Sequence, residues 1–135
     1  MKAVLDTNAV IYLQKGLLAE NLPFGEYFIS VITEMELLSF SGLDRSQQDW
    51  LNRFLADLEI IGIDNDVKQV EIALRRQHRL RLPDAIIAAS TITRDAVLFT
   101  KDKGLTGIPN LHVRNLVLRV EKADPLGCTP ADEAP

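Results

Sequence analysis

Apolar and polar positions along the chain fall into blocks that switch between the two-residue period of a strand and the 3.6-residue period of a helix. Residues 2–5 form a short apolar run that enters Asp6, Thr7 and Asn8, three residue types that cap helix N-termini well. This predicts a strand, then a short helix from about Asn8 to Lys15, with Gly16 as its stop. After a connection containing Pro23 and Gly25, Tyr27–Ile32 is rich in aromatic and β-branched residues and predicts a second strand. Thr33, Glu34, Met35 and Glu36 have the form of a capping box for a helix running to about Phe40, which Ser41 and Gly42 break.

Ser46 opens a further helix, in which Trp50, Leu51, Phe54, Leu55 and Leu58 make an apolar stripe. Glu59–Ile63 predicts a third strand, weakened by Gly62. Asp64 or Asn65 caps a helix whose Val67, Val70 and Leu74 share one face. Pro83 suits the first position of the next helix. Residues 85–92 of that helix are apolar almost all round, so it belongs in the centre of the molecule. Ala96–Thr100 predicts a fourth strand and Leu111–Val113 a fifth, while 115–120 fits strand or helix equally. Strands alternating with helices imply an α/β fold with a parallel sheet and helices on both faces.

Composition supports one domain over residues 1–120. The chain has 135 residues, 47% of them hydrophobic and 25% charged, which is enough to bury a core without crosslinks. Residues 121–135 read differently: Pro125, Gly127, Pro130 and Pro135 sit among acidic residues with few large apolar ones, the composition of a disordered tail. The single Cys128 excludes an intrachain disulfide. Neither a secretory leader pattern nor an apolar run near the ~20 residues of a membrane helix is present, so a cytoplasmic protein is expected. The net charge of −4 argues at first against a nucleic-acid partner. In the tail, however, Glu121, Asp124, Asp132 and Glu133 outnumber Lys122 by three, which leaves the body near −1. If four of its carboxylates hold metal, the rest of the body is about +3.

Four carboxylates stand where function collects in such a sheet, at or beyond the carboxyl ends of strands. Asp6 follows strand one, Glu36 lies a helical turn past strand two, Asp84 is in the first turn of the buried helix, and Asp102 follows strand four. Each has an adequate structural role when taken singly: a helix cap for Asp6, a capping-box partner for Glu36, a dipole partner for Asp84 and a turn residue for Asp102. Their shared placement favours function. Converging carboxylates repel each other without a counterion, and Mg²⁺ or Mn²⁺ would relieve this with oxygen ligands. His78 and His112 are isolated, so no zinc spacing exists.

Leu5–Asn8, Ile32–Leu37, Leu82–Ala89 and Phe99–Asp102, in this order and at these intervals, resemble the motifs of the PIN-domain ribonucleases, and the VapC-type toxins of toxin–antitoxin pairs in particular. The resemblance covers about residues 1–115. It implies a PIN-like three-layer fold with a central parallel sheet of four to five strands, one or two Mg²⁺ or Mn²⁺ ions, and endonucleolytic RNA cleavage; metal-assisted hydrolysis with a 3′-oxygen leaving group would give 5′-phosphate and 3′-hydroxyl ends. Asp6, Glu36, Asp84 and Asp102 stand at the family's acidic positions, as catalytic residues and metal ligands, with Asp102 acting through water. Thr7, Asn8 and Thr100 stand at its supporting polar positions. The resemblance also implies a homodimer, an RNA substrate such as transfer RNA, and a small cognate antitoxin. One departure is Arg79-Leu80-Arg81, where the family commonly has a glycine.

Arg75, Arg76, Arg79, Arg81, Lys101 and Lys103 are the candidate RNA contacts, although for any one arginine a solvated helix face explains it as well. The helix over 46–58 is amphipathic enough to meet a partner helix, but its stripe reads first as core. Two other readings stay open. One is a PIN-like module that binds without catalysis. The other is an aspartyl phosphotransferase using Asp6, against which the chain lacks the second aspartate two residues on.

Overall fold

The computed structural model describes residues 1–119, so the 121–135 tail lies outside the described residues. The elements run β1 (Lys2–Leu5), α1 (Thr7–Gln14), β2 (Glu26–Ser30), α2 (Val31–Leu38), α3 (Arg45–Ala56), β3 (Glu59–Ile61), α4 (Asn65–Gln77), α5 (Leu82–Thr93), β4 (Val97–Thr100), a 3₁₀ turn (Lys103–Leu105) and β5 (His112–Asn115). The five strands form one sheet in the order β3-β2-β1-β4-β5, and every pairing is parallel. The expected parallel α/β fold is therefore what forms.

The alternation along each strand feeds two cores. Val4, Phe28, Ile61 and Leu98 face α4 and α5, packing with Val67, Leu74, Ile86 and Ile87. Ala3, Leu5, Ile29 and Phe99 face the other way, packing with Val10, Leu37 and Leu51. Strands buried on both faces need apolar residues at successive positions, which is why β1 and β4 read as continuous apolar runs. Residues 85–91 of α5 are all buried, as its all-round apolar sequence requires. The Trp50–Leu58 stripe faces the second core as well: Leu51 is buried, Phe54, Leu55 and Leu58 pack beside it, and Trp50 stacks on Phe54 at 4.9 Å between ring centroids. That face of α3 is thus occupied by the fold itself.

Several boundaries differ from expectation. Strand β2 stops at Ser30, and α2 begins at Val31, so Ile32 is helical despite its β-branched side chain. The N-cap is Ser30, extended at φ −73° and ψ 151°, whose side chain accepts the Ile32 N–H. The expected Thr33–Glu36 capping box does not form, because both residues already lie inside the helix. Helix α3 begins at Arg45, capped by a true box of Asp44 and Gln47. Helix α5 begins at Leu82, so Pro83 is its second residue and Asp84 its third. Strand β5 runs to Asn115, and beyond it Leu118 makes an isolated antiparallel bridge to Leu18. Gly16 ends α1 as expected, at φ +69°, a left-handed conformation that glycine adopts without strain. Among the described residues no helix is long and apolar enough to cross a membrane.

Candidate active site

The chain leaves β1, builds β2 and β3 on one side, then returns to add β4 and β5 on the other. The connections from β1 and β4 therefore diverge at the carboxyl edge, and a crevice opens between them. A cavity of about 610 Å³ lies there, lined by Asp6, Thr7, Asn8, Glu36, Arg81, Asp84 and Asp102 together with Ile11, Met35, Ser39, Phe40 and Ile87. All four expected carboxylates reach it from separate elements.

Asp6 is the N-cap of α1, and it does more than cap. Its Oδ1 accepts the Ala9 N–H at 2.8 Å, and its Oδ2 accepts the hydroxyl proton of Thr100. The side chain is 8% exposed. Burial, countered by these two hydrogen bonds and reinforced by the charges of Asp102 and Asp84, pushes its pKa up to about 6. Asp84 sits in the first turn of α5, and its pKa is raised by burial and then by Asp102, with Arg81 opposing and Glu36 adding to the rise. Asp102 caps the 3₁₀ turn by accepting the Gly104 N–H at 2.8 Å. Its own N–H donates to the Thr100 hydroxyl oxygen at 2.9 Å. Glu36 accepts the Thr7 hydroxyl proton through Oε1.

Thr100 is completely buried at the end of β4 and ties Asp6 to the Asp102 backbone. Thr7 holds Glu36, and Asn8 lines the cavity between the same elements. Of the six candidate cations only Arg81 lines the cavity. Arg75 pairs with the buried Glu71 within α4, and Arg76, Arg79, Lys101 and Lys103 are exposed outside the cavity lining. The sequence reading did not include Met35 and Phe40, which are 50% and 40% exposed at this rim. Their signal was there: large apolar residues in and just beyond a helix whose apolar core contacts come from Ile32 and Leu37.

The donor set is oxygen only, which matches hard divalent cations, and burial, with a smaller contribution from the neighbouring carboxylates, raises the Asp6 and Asp84 pKa values, a cost that a bound cation would offset. Among the described residues no three acidic, histidine or cysteine side chains are already gathered into a coordinating cluster. The carboxylates line a shared cavity but do not converge on one point in it. The residues present fit such an ion by their chemistry. Phosphotransfer through Asp6 fits poorly, because the position two residues on is Asn8 and supplies no second carboxylate.

A parallel sheet with this strand order and carboxylates at its switch point is an α/β architecture with an acidic crevice at its carboxyl edge, and the sequence gives its family: the PIN domain matches residues 3–111. The chain belongs to the PIN-domain family. Among solved structures it is similar to toxin–antitoxin proteins. A chain of a toxin–antitoxin complex from Klebsiella pneumoniae is 32% identical, with 81% of this chain and 94% of that one covered and a TM-score of 0.66. VapBC2 from Rickettsia felis, bound to a DNA fragment from its promoter, is 27% identical over 85% of this chain and 98% of that one, with a TM-score of 0.67. VapBC-5 from Mycobacterium tuberculosis is 26% identical over 84% and 98%, with a TM-score of 0.66. No curated relative matches the sequence significantly. The resemblance to VapC-type toxins read from the four motifs thus extends to the whole folded domain.

Proposed function

We propose that this chain is the toxin of a toxin–antitoxin pair and acts as a metal-dependent endoribonuclease in the cytoplasm. One observation carries the reading: four carboxylates from four separate elements line a single cavity at the switch point of the sheet. A pocket built only to stabilise the fold would not gather four like charges and raise the pKa values of two of them, Asp6 and Asp84.

Asp6, Glu36 and Asp84 would hold Mg²⁺ or Mn²⁺ directly, with Asp102 acting through water. When bound, such an ion activates water and offsets charge on the leaving oxygen of a phosphodiester. The chain's own residues prepare this. Thr100 fixes the Asp6 carboxylate, and Thr7 fixes that of Glu36. Arg81 beside Asp84 is placed to pair with a backbone phosphate. The exposed Arg76, Arg79, Lys101 and Lys103 would add long-range attraction for RNA, which raised salt should weaken.

The partner is a small cognate antitoxin, supported by relatives that are themselves toxin–antitoxin complexes. The active form is a homodimer, in keeping with the family resemblance. Transfer RNA is the substrate to try first.

The test is cleavage of RNA by the purified chain, freed of any partner, with Mg²⁺ or Mn²⁺ and then with EDTA, beside Asp6→Asn. Expected are cleavage with metal, loss with EDTA, and loss in the variant while the fold survives. Full activity in Asp6→Asn would sink the assignment. No cleavage together with no metal uptake would return the chain to a binding module.

A further inference from the structure

Thr33 carries no role so far, yet it is completely buried and stands one helical turn before Glu36 on the same face of α2. Its hydroxyl oxygen lies 3.2 Å from that of Thr7, across the junction of α1 and α2. Thr7 is thus within reach of two acceptors, Glu36 Oε1 and Thr33 Oγ1. It has a single hydroxyl proton to give.

A carboxylate only accepts, so the Thr7 proton belongs to Glu36. The contact between the two threonines must then run the other way, with Thr33 as donor. That assignment would give a directed chain in which Thr33 donates to Thr7 and Thr7 donates to Glu36. We infer that Thr33 is a positioning residue, which orients the Glu36 carboxylate from the protein interior through Thr7.

The logic is that of outer-sphere partners of metal ligands. A Thr7 hydroxyl with no donor behind it can rotate and swing its proton away from Glu36. With Thr33 holding its lone pair, one orientation remains, and the carboxylate is fixed before any ligand arrives. The chain of hydroxyls also fastens the first turn of α1 to α2, so two of the four acidic positions share one brace. The geometry stands by itself, while its consequence for metal rests on the nuclease reading above.

The experiment compares wild type, Thr33→Val and Thr33→Ser as full chains. The first readout is metal-free proton NMR. Wild type should show slowly exchanging hydroxyl protons for both Thr33 and Thr7. Thr33→Val, close to threonine in shape, should lose protection at Thr7, and Thr33→Ser should restore it. The second readout is Mn²⁺ titration. Thr33→Val should bind about tenfold more weakly and Thr33→Ser close to wild type, with cleavage by Thr33→Val recovering as Mn²⁺ is raised. A rapidly exchanging Thr7 hydroxyl in wild type would overturn the relay without any variant having to fold. So would a folded Thr33→Val that keeps both Thr7 protection and Mn²⁺ affinity. Protected hydroxyls in a wild type that binds no Mn²⁺ would uphold the relay and count against the nuclease reading.

Discussion

Asp6 and Thr100 lie 94 residues apart in the chain and are joined by a buried hydrogen bond from the Thr100 hydroxyl to Asp6 Oδ2. The register explains how. β1 and β4 are parallel neighbours with Leu5 opposite Phe99, so the residues that follow each, Asp6 and Thr100, emerge side by side. Thr100 then accepts the Asp102 N–H on the same oxygen, so one hydroxyl sets both ends of the acidic cluster.

Removing that hydroxyl should be costly in two ways. Thr100→Val leaves the Asp102 N–H and Asp6 Oδ2 without their partner, and should lower stability by about 1–3 kcal/mol. It should also weaken Mn²⁺ binding by at least tenfold. Thr100→Ser keeps the hydroxyl and should stay within about 1 kcal/mol of wild type. Denaturant melts and metal titration on the three proteins check this. Equal behaviour of the valine and serine variants would show that the hydroxyl is dispensable.

Capping and function, which compete for Glu36 in the sequence, fall to different residues in the structure. Ser30 caps α2, and Glu36 lies well inside the helix with its carboxylate on the cavity. Ser30→Ala should cost about 1 kcal/mol of stability and leave cleavage intact. Glu36→Gln should do the opposite, with little change in melting and cleavage down by at least a hundredfold. A large melting loss in Glu36→Gln with retained cleavage would restore the structural role.

The difference at α2 shows where sequence reasoning stops. Local pattern located every strand and helix, because β1, β4 and α5 are apolar on all sides and the amphipathic α3 and α4 show clear stripes. It misplaced the start of α2 because Val31 and Ile32 favour strands by side-chain shape, whereas Ser30 starts the helix by accepting the Ile32 N–H with its side chain. Asp6, Glu36 and Asp102 were legible as residues at or beyond strand ends, and Asp84 as a first-turn residue of a buried helix. Which cations accompany them was not, since that depends on where a side chain points. Arg75 and Arg81 look alike in sequence, yet one pairs with Glu71 on its own helix and the other faces the cavity. Thr33 was hidden for the same reason: its role depends on a partner 26 residues away on another helix.

Arg81 should therefore separate from the other cations in a mutational series. Arg81→Ala should reduce kcat/KM for RNA by roughly tenfold, about 1.4 kcal/mol of lost transition-state binding. Arg76→Ala and Arg79→Ala, remote from the cavity lining, should change it by less than about threefold and act mainly by reducing its salt dependence. A uniform loss across all three would mean that general charge, not placement, governs RNA binding.

The metal-free chain should become more stable on acidification from pH 7.5 to pH 5. Burial, with Asp102 and Asp84 adding, places the Asp6 pKa at about 6 in the folded state, against 3.8 for the ordinary side chain. Between those values the folded state holds a proton that the unfolded state has released. Stability therefore falls as pH rises through this window and levels off above about pH 7. For Asp6 alone the full span, complete only below about pH 4, is on the order of 3 kcal/mol, with about half of it between pH 7.5 and pH 5, and Asp84, also raised, adds in the same direction. Denaturant unfolding in EDTA at a series of pH values measures the slope, and Asp6→Asn should remove the greater part of it. Saturating Mn²⁺ should reverse it, because a cation rewards the ionised form that the empty pocket penalises. A slope unchanged in Asp6→Asn would place the responsible proton elsewhere. A slope lost in Asp6→Asn but insensitive to Mn²⁺ would confirm the buried carboxyl while denying it the cation.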